Sequence, residues 1–130
     1  MSEKNTNDIL HALLDTEITL QKEVYMNRFK VSFKIEAIDG KMINRIREQA
    51  TFPTKSGREL DEEKFGALII QKACKVPNWS DPQLIEKFGP TPTDVIQNRL
   101  LAGEIAKITT EILELSGFVD EDEKIDEIKN

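Results

Sequence analysis

The chain has 130 residues, of which 38% are hydrophobic and 32% charged, and its formal net charge is −6. This length suits one compact domain with a modest core. The longest apolar run, Ala67–Ile70, is far shorter than the ~20 residues of a membrane span, and the polar N-terminus lacks the layout of a signal peptide. The single cysteine, Cys74, excludes an internal disulfide, so we expect a protein of a reducing compartment, the cytoplasm.

The charge is unevenly distributed along the chain. From Arg28 to Arg58, eight basic residues against three acids give +5, whereas in Gly117–Asn130 six acids against two lysines give −4. This pattern is typical of a solvated mixed face and an acidic tail. The alternative is a basic surface that meets an acidic segment, either the protein's own tail or a partner's. A pI near 4.9 and the lack of aromatic residues alternating with the basic ones argue against nucleic acid.

The first predicted element is a short helix, because four apolar residues recur at helical spacing: Ile9, Leu10, Leu13 and Leu14. His11 lies among them, but a lone histidine in such a stretch is far more often a surface or packing residue than a ligand, so we assign it no metal chemistry. Two stretches of alternating apolar and polar residues follow and predict an antiparallel β-hairpin at about residues 22–38. Such a hairpin is marginal alone and needs helices on its apolar face.

The middle of the chain predicts a capped helix, a loop and a long helix. Asp39 can cap a helix that turns Ile43 and Ile46 inward. Residues 51–60, which contain Pro53 and Ser56–Gly57, are interpreted as a loop. Residues 61–76 form the most strongly predicted helix, with acids in its first turn and a broad apolar stripe along it.

A turn and a short helix come next, with Pro82 at the first helical position and Gly89 as a left-handed C-terminal cap. Trp79 precedes this helix and either fixes its start to the core or is an exposed anchor for a partner. Thr91 then caps another helix. After the last long helix, Gly117 and Phe118 suit a Schellman ending.

Gly103 raises a question, since a glycine before an acid can mark a phosphate-binding turn, a hinge or a break between helices. On one straight helix the apolar residues before and after it would centre about 150° apart. A break at Ala102–Gly103 lets both stripes face one core. The apolar residues that follow have heptad-like spacing, so this last helix, Glu104–Ser116, is either a core element or a self-association surface.

No catalytic, cofactor or metal motif is found in the sequence. One histidine and one cysteine leave a single possible base for nucleophilic catalysis. The acidic stretch near the C-terminus lacks the central glycine and ligand spacing of a calcium loop. We therefore expect a protein that is not an enzyme and has no cofactor.

The order of features from about Phe29 to Phe118 resembles the XkdN-like tail assembly chaperones of bacteriophages and defective prophages of Gram-positive bacteria. The most specific stretches are WSDPQLIEKFG, at residues 79–89, and LLAGEI, at residues 100–105, followed by ELSGF, at residues 114–118. Relatives often have proline where this chain has Ala102 and asparagine where it has Ser116. These departures affect the sharpness of two turns.

The resemblance implies a cytoplasmic helper of tail morphogenesis, absent from the mature virion, that binds the tape measure protein and keeps it soluble. It also implies a possible longer, frameshifted form as a partner, besides a possible homo-oligomer, and no membrane partner. Alternatives are a structural minor tail or connector protein, or a small nucleic-acid-binding regulator. The candidate partner-binding residues are Arg45, Arg47, Trp79, Leu115 and Phe118.

The expected fold is mainly α, of the α+β class: a small domain of five to six helices with the antiparallel hairpin near the N-terminus. We expect residues 1–118 to form the globular domain. Residues 119–130 are expected to form an acidic, flexible C-terminal tail.

Overall fold

The computed structural model describes residues 6–16 and 20–118. Six helices and five strands lie in these residues. The helices are α1 (Thr6–Asp15), α2 (Gly40–Gln49), α3 (Glu62–Ala73), α4 (Pro82–Phe88), α5 (Pro92–Arg99) and α6 (Ala102–Leu115). The strands are β1 (Gln21–Met26), β2 (Val31–Glu36), β3 (Thr51–Thr54), β4 (Gly57–Leu60) and β5 (Cys74–Val76). The predicted mixed α+β class is confirmed. The acidic segment 119–130 lies outside the described residues.

The predicted hairpin is confirmed, and the structure supplies its register. Strands β1 and β2 are antiparallel, with Val24 opposite Phe33, and both side chains are buried. The loop between the strands has four residues, and Lys30 closes it in the left-handed region at φ 57° with its N–H donating to the Met26 carbonyl at 2.8 Å. A third strand, β5, extends the sheet in the order β1-β2-β5. The sequence analysis did not anticipate β5.

The interpretation of residues 51–60 as a loop is wrong. They form a second antiparallel hairpin, β3-β4, in which Thr51 lies opposite Leu60 and Thr54 opposite Gly57. Pro53 is compatible with this hairpin because each strand has a single partner. Proline has no backbone N–H to donate, and on such an edge strand its nitrogen can face away from the partner strand. Gly57, at φ 130°, allows the tight turn.

Helix α3 is the centre of the core and contacts α2, α5, α6 and β5. Its Ile69, Ile70 and Ala73 are fully buried. Gly66 permits the close approach of α6, since a Cβ atom there would lie 2.8 Å from Ile105 Cγ2. The apolar stripe of α6 thus belongs to the core: Ile105, Ile108 and Ile112 are all buried.

The predicted break between the last two helices exists, but two residues earlier than expected. Helix α5 ends at Arg99, and α6 begins at Ala102. Gly103 therefore lies inside the first turn of α6, and a Cβ atom there would meet open space. The expected left-handed cap at Gly89 is also wrong, since its φ is −67°. The Schellman ending is confirmed: Gly117 has φ 88°, and the Phe118 N–H donates to the Leu113 carbonyl at 2.8 Å.

Candidate partner-binding surface

Helix α2 presents three of the eight basic residues of the Arg28–Arg58 stretch to solvent: Lys41, Arg45 and Arg47. Asp39 starts the helix by accepting a hydrogen bond from the Met42 N–H at 2.8 Å, as the sequence predicts. Ile43 and Ile46 are buried, and at 100° per residue the predicted contact residue Arg45 lies on the opposite side of the helix. The other predicted contact residue, Arg47, is also exposed, but it lies on the flank of the helix that faces the β3-β4 hairpin.

The β3-β4 hairpin adds a further basic residue, Arg58, to the surface formed by α2. An open cavity of about 550 Å³ lies between α2 and the hairpin, with Arg47 and Arg58 among its lining residues. The Arg47 guanidinium donates to Asn44 Oδ1 at 3.2 Å and lies over the Phe65 ring, 5.6 Å from its centre. A cation held over an aromatic ring keeps its outer edge available for a carboxylate.

We call the four cationic side chains of this region the basic face: Lys41, Arg45, Arg47 and Arg58. Within the described part of the chain, ion pairs up to 4.0 Å join Lys22 to Glu111, Arg28 to Glu104 and Lys75 to Glu36. None of these pairs involves the basic face. Glu48 shares the cavity lining with Arg47 and Arg58, but none of the described ion pairs joins it to them. The four cations therefore outnumber the acids at this surface, and they attract anionic groups over a Debye length of about 8 Å at physiological salt.

The C-terminal end of α6 lies beside the N-terminal end of α2. Phe118 is 44% exposed, and its Cζ lies 3.5 Å from where a Cβ atom at Gly40 would be. Leu115 is partly buried and packs against the core. The structure therefore brings two predicted contact residues, Leu115 and Phe118, to the same end of the domain as the start of the basic face.

A second open cavity, also about 550 Å³, lies at this end, and we call it the terminal groove. Its apolar lining comes from Leu20, Ile38, Met42 and Leu115. Its charged lining residues are two lysines, Lys72 and Lys75, and two acids, Glu36 and Asp39. Ser116 joins its walls: the Ser116 hydroxyl accepts a hydrogen bond from the Ile38 N–H at 3.0 Å and donates to the Ile112 carbonyl at 2.7 Å.

A third, smaller cavity of about 280 Å³ runs between α3 and α6, and we call it the α3–α6 groove. Small residues, among them Gly66, Ala102 and Ala106, line it. The carboxylates of Glu62 and Glu63 lie at one end. This groove is therefore apolar with an acidic end, whereas the terminal groove carries side chains of both charges.

Trp79 is apart from these surfaces. Its side chain is 5% exposed, and its ring meets the Phe33 ring edge-to-face with 5.7 Å between centres. This geometry favours the interpretation that Trp79 fixes the start of α4 to the core. The indole is not presented to a partner in this structure.

Cys74 is a core residue at the junction of α3 and β5. Its side chain is buried, and the thiol donates to the Val76 carbonyl at 3.4 Å. Burial raises the pKa of the Cys74 thiol to about 11. Because the thiolate is the reactive form, this cysteine has the properties of structural filler.

A cluster that the sequence analysis missed connects the β1-β2 loop to α5 and α6. Arg28 and Arg99 both lie over the Phe29 ring, 4.3 and 4.9 Å from its centre, and Arg28 is also paired with Glu104. No sequence signal marks this cluster, because Arg28 and Glu104 are 76 positions apart. Arg28 and Arg99 make these contacts within the domain, so we do not include them in the basic face.

Two features are absent from the described residues. No group of three or more histidine, cysteine, aspartate or glutamate side chains there is arranged to hold a metal ion. No described helix combines the length and apolar character needed to cross a membrane.

Comparisons with known proteins give a family and a fold. A family model described as phage XkdN-like tail assembly chaperone protein matches residues 10–129. The curated proteins contain no match. Among solved structures, the crystal structure of the protein YqbN, a structural genomics target, is similar: it has 25% sequence identity and a TM-score of 0.61, with 80% of this chain and 90% of that chain covered.

Proposed function

Because this chain belongs to the XkdN-like phage tail assembly chaperones, we propose that it binds the tape measure protein and keeps it soluble while the tail is built. It acts in the cytoplasm of the bacterial host and is left out of the finished virion. The single observation that carries the proposal is a locally unpaired basic face with an exposed aromatic ring at one end, Phe118.

The chemistry of this surface suits a chaperone that must later be displaced. Ion pairs between exposed side chains contribute about 0–1 kcal/mol each, and they govern association rate and orientation more than affinity. A long helical client with repeated acidic and apolar residues can therefore be held by several such contacts. None of these contacts is strong enough to resist the polymerising tail tube.

The apolar part of the surface supplies the remaining affinity. Phe118 and Leu115 lie where α6 ends, next to the first turn of α2, so an apolar side chain of the client can meet them while neighbouring carboxylates reach Lys41 and Arg45. Apolar burial of this kind contributes about 25 cal/mol per Å². Apolar side chains of the client that stay exposed to water would otherwise drive its aggregation.

Co-expression with the cognate tape measure protein tests the proposal. The expected result is that the soluble fraction of the tape measure protein rises in the presence of this chain and that the two proteins co-purify. If the tape measure protein stays insoluble and does not co-purify, the proposal is wrong. Mass spectrometry of purified particles tests the second part, since a structural tail subunit would be retained there.

A further inference from the structure

The acidic segment 119–130 begins where the basic face begins. It contains six acids and two lysines, which give a net charge of −4, and four of the acids are consecutive at 120–123. Phe118 directly precedes the segment, and its Cζ lies 3.5 Å from where a Cβ atom at Gly40 would be. Gly40 is the first residue of α2, and the next residue, Lys41, is the first cation of the basic face. The chain therefore enters its acidic segment beside the helix that carries most of the basic face.

The side of α2 that Phe118 approaches leads along the helix to Arg47. At 100° per residue, Gly40, Asn44 and Arg47 lie within about 60° of one another and so form one row along the helix. Asn44 and Arg47 are exposed, and both line the cavity of about 550 Å³ between α2 and the β3-β4 hairpin. A chain that continues from Phe118 along this row therefore reaches the cavity that Arg47 and Arg58 line.

The spacing of the acids matches the position of Arg47. Arg47 comes seven residues after Gly40, which is about 10 Å along the helix axis at about 1.5 Å per residue. The consecutive acids at 120–123 come two to five residues after Phe118, a reach of about 7–18 Å in extended chain. The distance from Phe118 to Arg47 along α2 thus falls within the reach of these four acids.

Charge distinguishes this cavity from the two grooves described above. Its charged lining residues are Arg47, Arg58 and Glu48, and none of the described ion pairs involves either arginine. The terminal groove, which is also close to Phe118, has two lysines and two acids, so its charges balance. The α3–α6 groove has two glutamates at one end, which repel a polyanion. The cavity between α2 and the hairpin is the one whose cations exceed its acids.

We infer that the acidic segment 119–130 lies on the basic face of its own domain, with the acids at 120–123 against Arg47 and Arg58, and that the client must displace it. A short covalent tether gives such a segment a local concentration in the millimolar range, which favours its own domain over a second copy. Ion pairs between exposed side chains are individually weak, so the contact can open. The contact itself does not depend on a client, whereas the competition with the client rests on the proposed function.

Disulfide trapping within one chain tests the contact. The variant Asn44→Cys, Glu121→Cys places one thiol on the row of α2 and the other among the consecutive acids. At low protein concentration, mild oxidation is expected to join the two positions, and mass spectrometry of the digested protein identifies the linked peptides. The native thiol does not compete, because Cys74 is buried.

The matched control for this trapping is the variant Thr110→Cys, Glu121→Cys. Thr110 is exposed and lines the α3–α6 groove. It lies five residues before the last residue of α6, much as Asn44 lies four residues after the first residue of α2. The tether therefore allows both positions about equally, and we expect little trapping at position 110.

Neutral acids show whether ion pairing holds the contact. Adding Asp120→Asn, Asp122→Asn and Glu123→Gln to the Asn44→Cys, Glu121→Cys variant is expected to slow trapping about fivefold or more at low salt, because the remaining attraction to the arginines is lost. Raising the ionic strength is expected to slow trapping of the variant that keeps these three acids.

Each outcome of the trapping experiment decides the inference. Trapping at position 44 that exceeds trapping at position 110 and depends on the acids supports it. Equal trapping at both positions, trapping at neither, or trapping at position 44 that neutral acids do not slow contradicts it. Disulfides that form only between chains also overturn it, since the segment then lies on a second copy. Circular dichroism of each variant shows that it is folded.

Client binding supplies a second measurement. The double variant Asp122→Asn, Glu123→Gln is expected to lower the dissociation constant for the tape measure protein about threefold, because a face that is open more of the time binds with higher apparent affinity. The matched control is Glu23→Gln, Glu86→Gln, which changes the net charge equally at two exposed positions. Equal tightening in both variants, or none, contradicts the competition. If the tape measure protein binds no form of the chain, the proposed function is wrong, and the trapping experiment decides the contact without it.

Discussion

Arg28 and Glu104 form a bidentate ion pair, with Nε to Oε2 at 2.9 Å and Nη2 to Oε1 at 2.7 Å. The same Nη2 donates to the Arg99 carbonyl at 3.0 Å, and Glu104 Oε1 also accepts from the Leu101 N–H at 2.8 Å. A side chain of the β1-β2 loop therefore fixes the break between α5 and α6. The contact spans the break that lets the apolar stripes of α5 and α6 face one core.

This ion pair predicts a pH dependence of stability. The hydrogen bonds from Arg28 hold the pKa of Glu104 below its ordinary value, which is about 4.3 for an unperturbed glutamate. A carboxyl group with a lowered folded-state pKa stabilises the fold above its unfolded pKa, and this contribution is lost as pH falls through the folded pKa. We therefore expect Glu104→Gln to lower the melting temperature at pH 7, and the difference from wild type to shrink below about pH 4.

Thermal unfolding followed by circular dichroism across this pH range checks the prediction. Glu86→Gln is the matched control, because Glu86 is exposed and takes part in none of the described ion pairs. It should change the melting temperature little at any pH. A difference for Glu104→Gln that stays constant with pH would show that the carboxylate acts through its shape and not its charge.

The parts of the fold that the sequence predicts correctly are those determined by local chemistry. The cap of Asp39, the capping box of Thr91 with Asp94 and the Schellman ending at Gly117 each involve residues within a few positions of one another. Alternation in β2 likewise predicts a half-buried strand without reference to a partner. These features can be recognised because the interacting groups are adjacent in sequence.

The parts that were missed depend on distant partners. Strand β5 has only three residues, and it is a strand because Cys74 pairs with Ile35 of β2. The β3-β4 hairpin forms although β3 contains Pro53, because Gly57 allows the tight turn between the two strands. The surface shows the same division: Arg45 and Arg47 could be chosen from charge alone. The cavity that Arg58 completes, and the proximity of Phe118 to Gly40, follow from tertiary packing.

Trp79 provides an optical test of its place in the core. It is the one tryptophan of the chain, and its ring is buried against Phe33. We expect blue-shifted native fluorescence that moves to longer wavelength only on unfolding, and no shift when the tape measure protein binds. Trp79→Ala should cost about 3–5 kcal/mol of unfolding free energy, the usual range for a large buried aromatic. A native spectrum typical of a water-exposed indole would contradict the buried position.

Charge reversal on the basic face should weaken client binding in a salt-dependent way. The double variant Arg45→Glu, Arg47→Glu is expected to reduce co-purification of the tape measure protein, because carboxylates of the client lose their cationic partners. The matched control is Lys30→Glu, Lys34→Glu, which changes the net charge equally but lies on the β1-β2 hairpin. Wild-type binding should also weaken as ionic strength rises. Equal losses for both double variants would show that net charge, and not this face, governs binding.

Two glycine-to-alanine substitutions should change stability in opposite directions. A Cβ atom at Gly66 would lie 2.8 Å from Ile105 Cγ2 and 3.1 Å from Thr109 Oγ1. Both atoms belong to β-branched side chains, so they cannot rotate away freely. Overpacking of this kind costs about 1–3 kcal/mol, which exceeds the helix-propensity gain of about 0.5–1 kcal/mol from replacing glycine by alanine.

At Gly103 a Cβ atom meets open space, so the same gain is not offset and Gly103→Ala should stabilise the protein. Urea unfolding of the two variants beside wild type measures both signs. If Gly103→Ala instead destabilises the protein, the prediction is wrong, because neither steric contact nor backbone conformation at Gly103 accounts for such a loss.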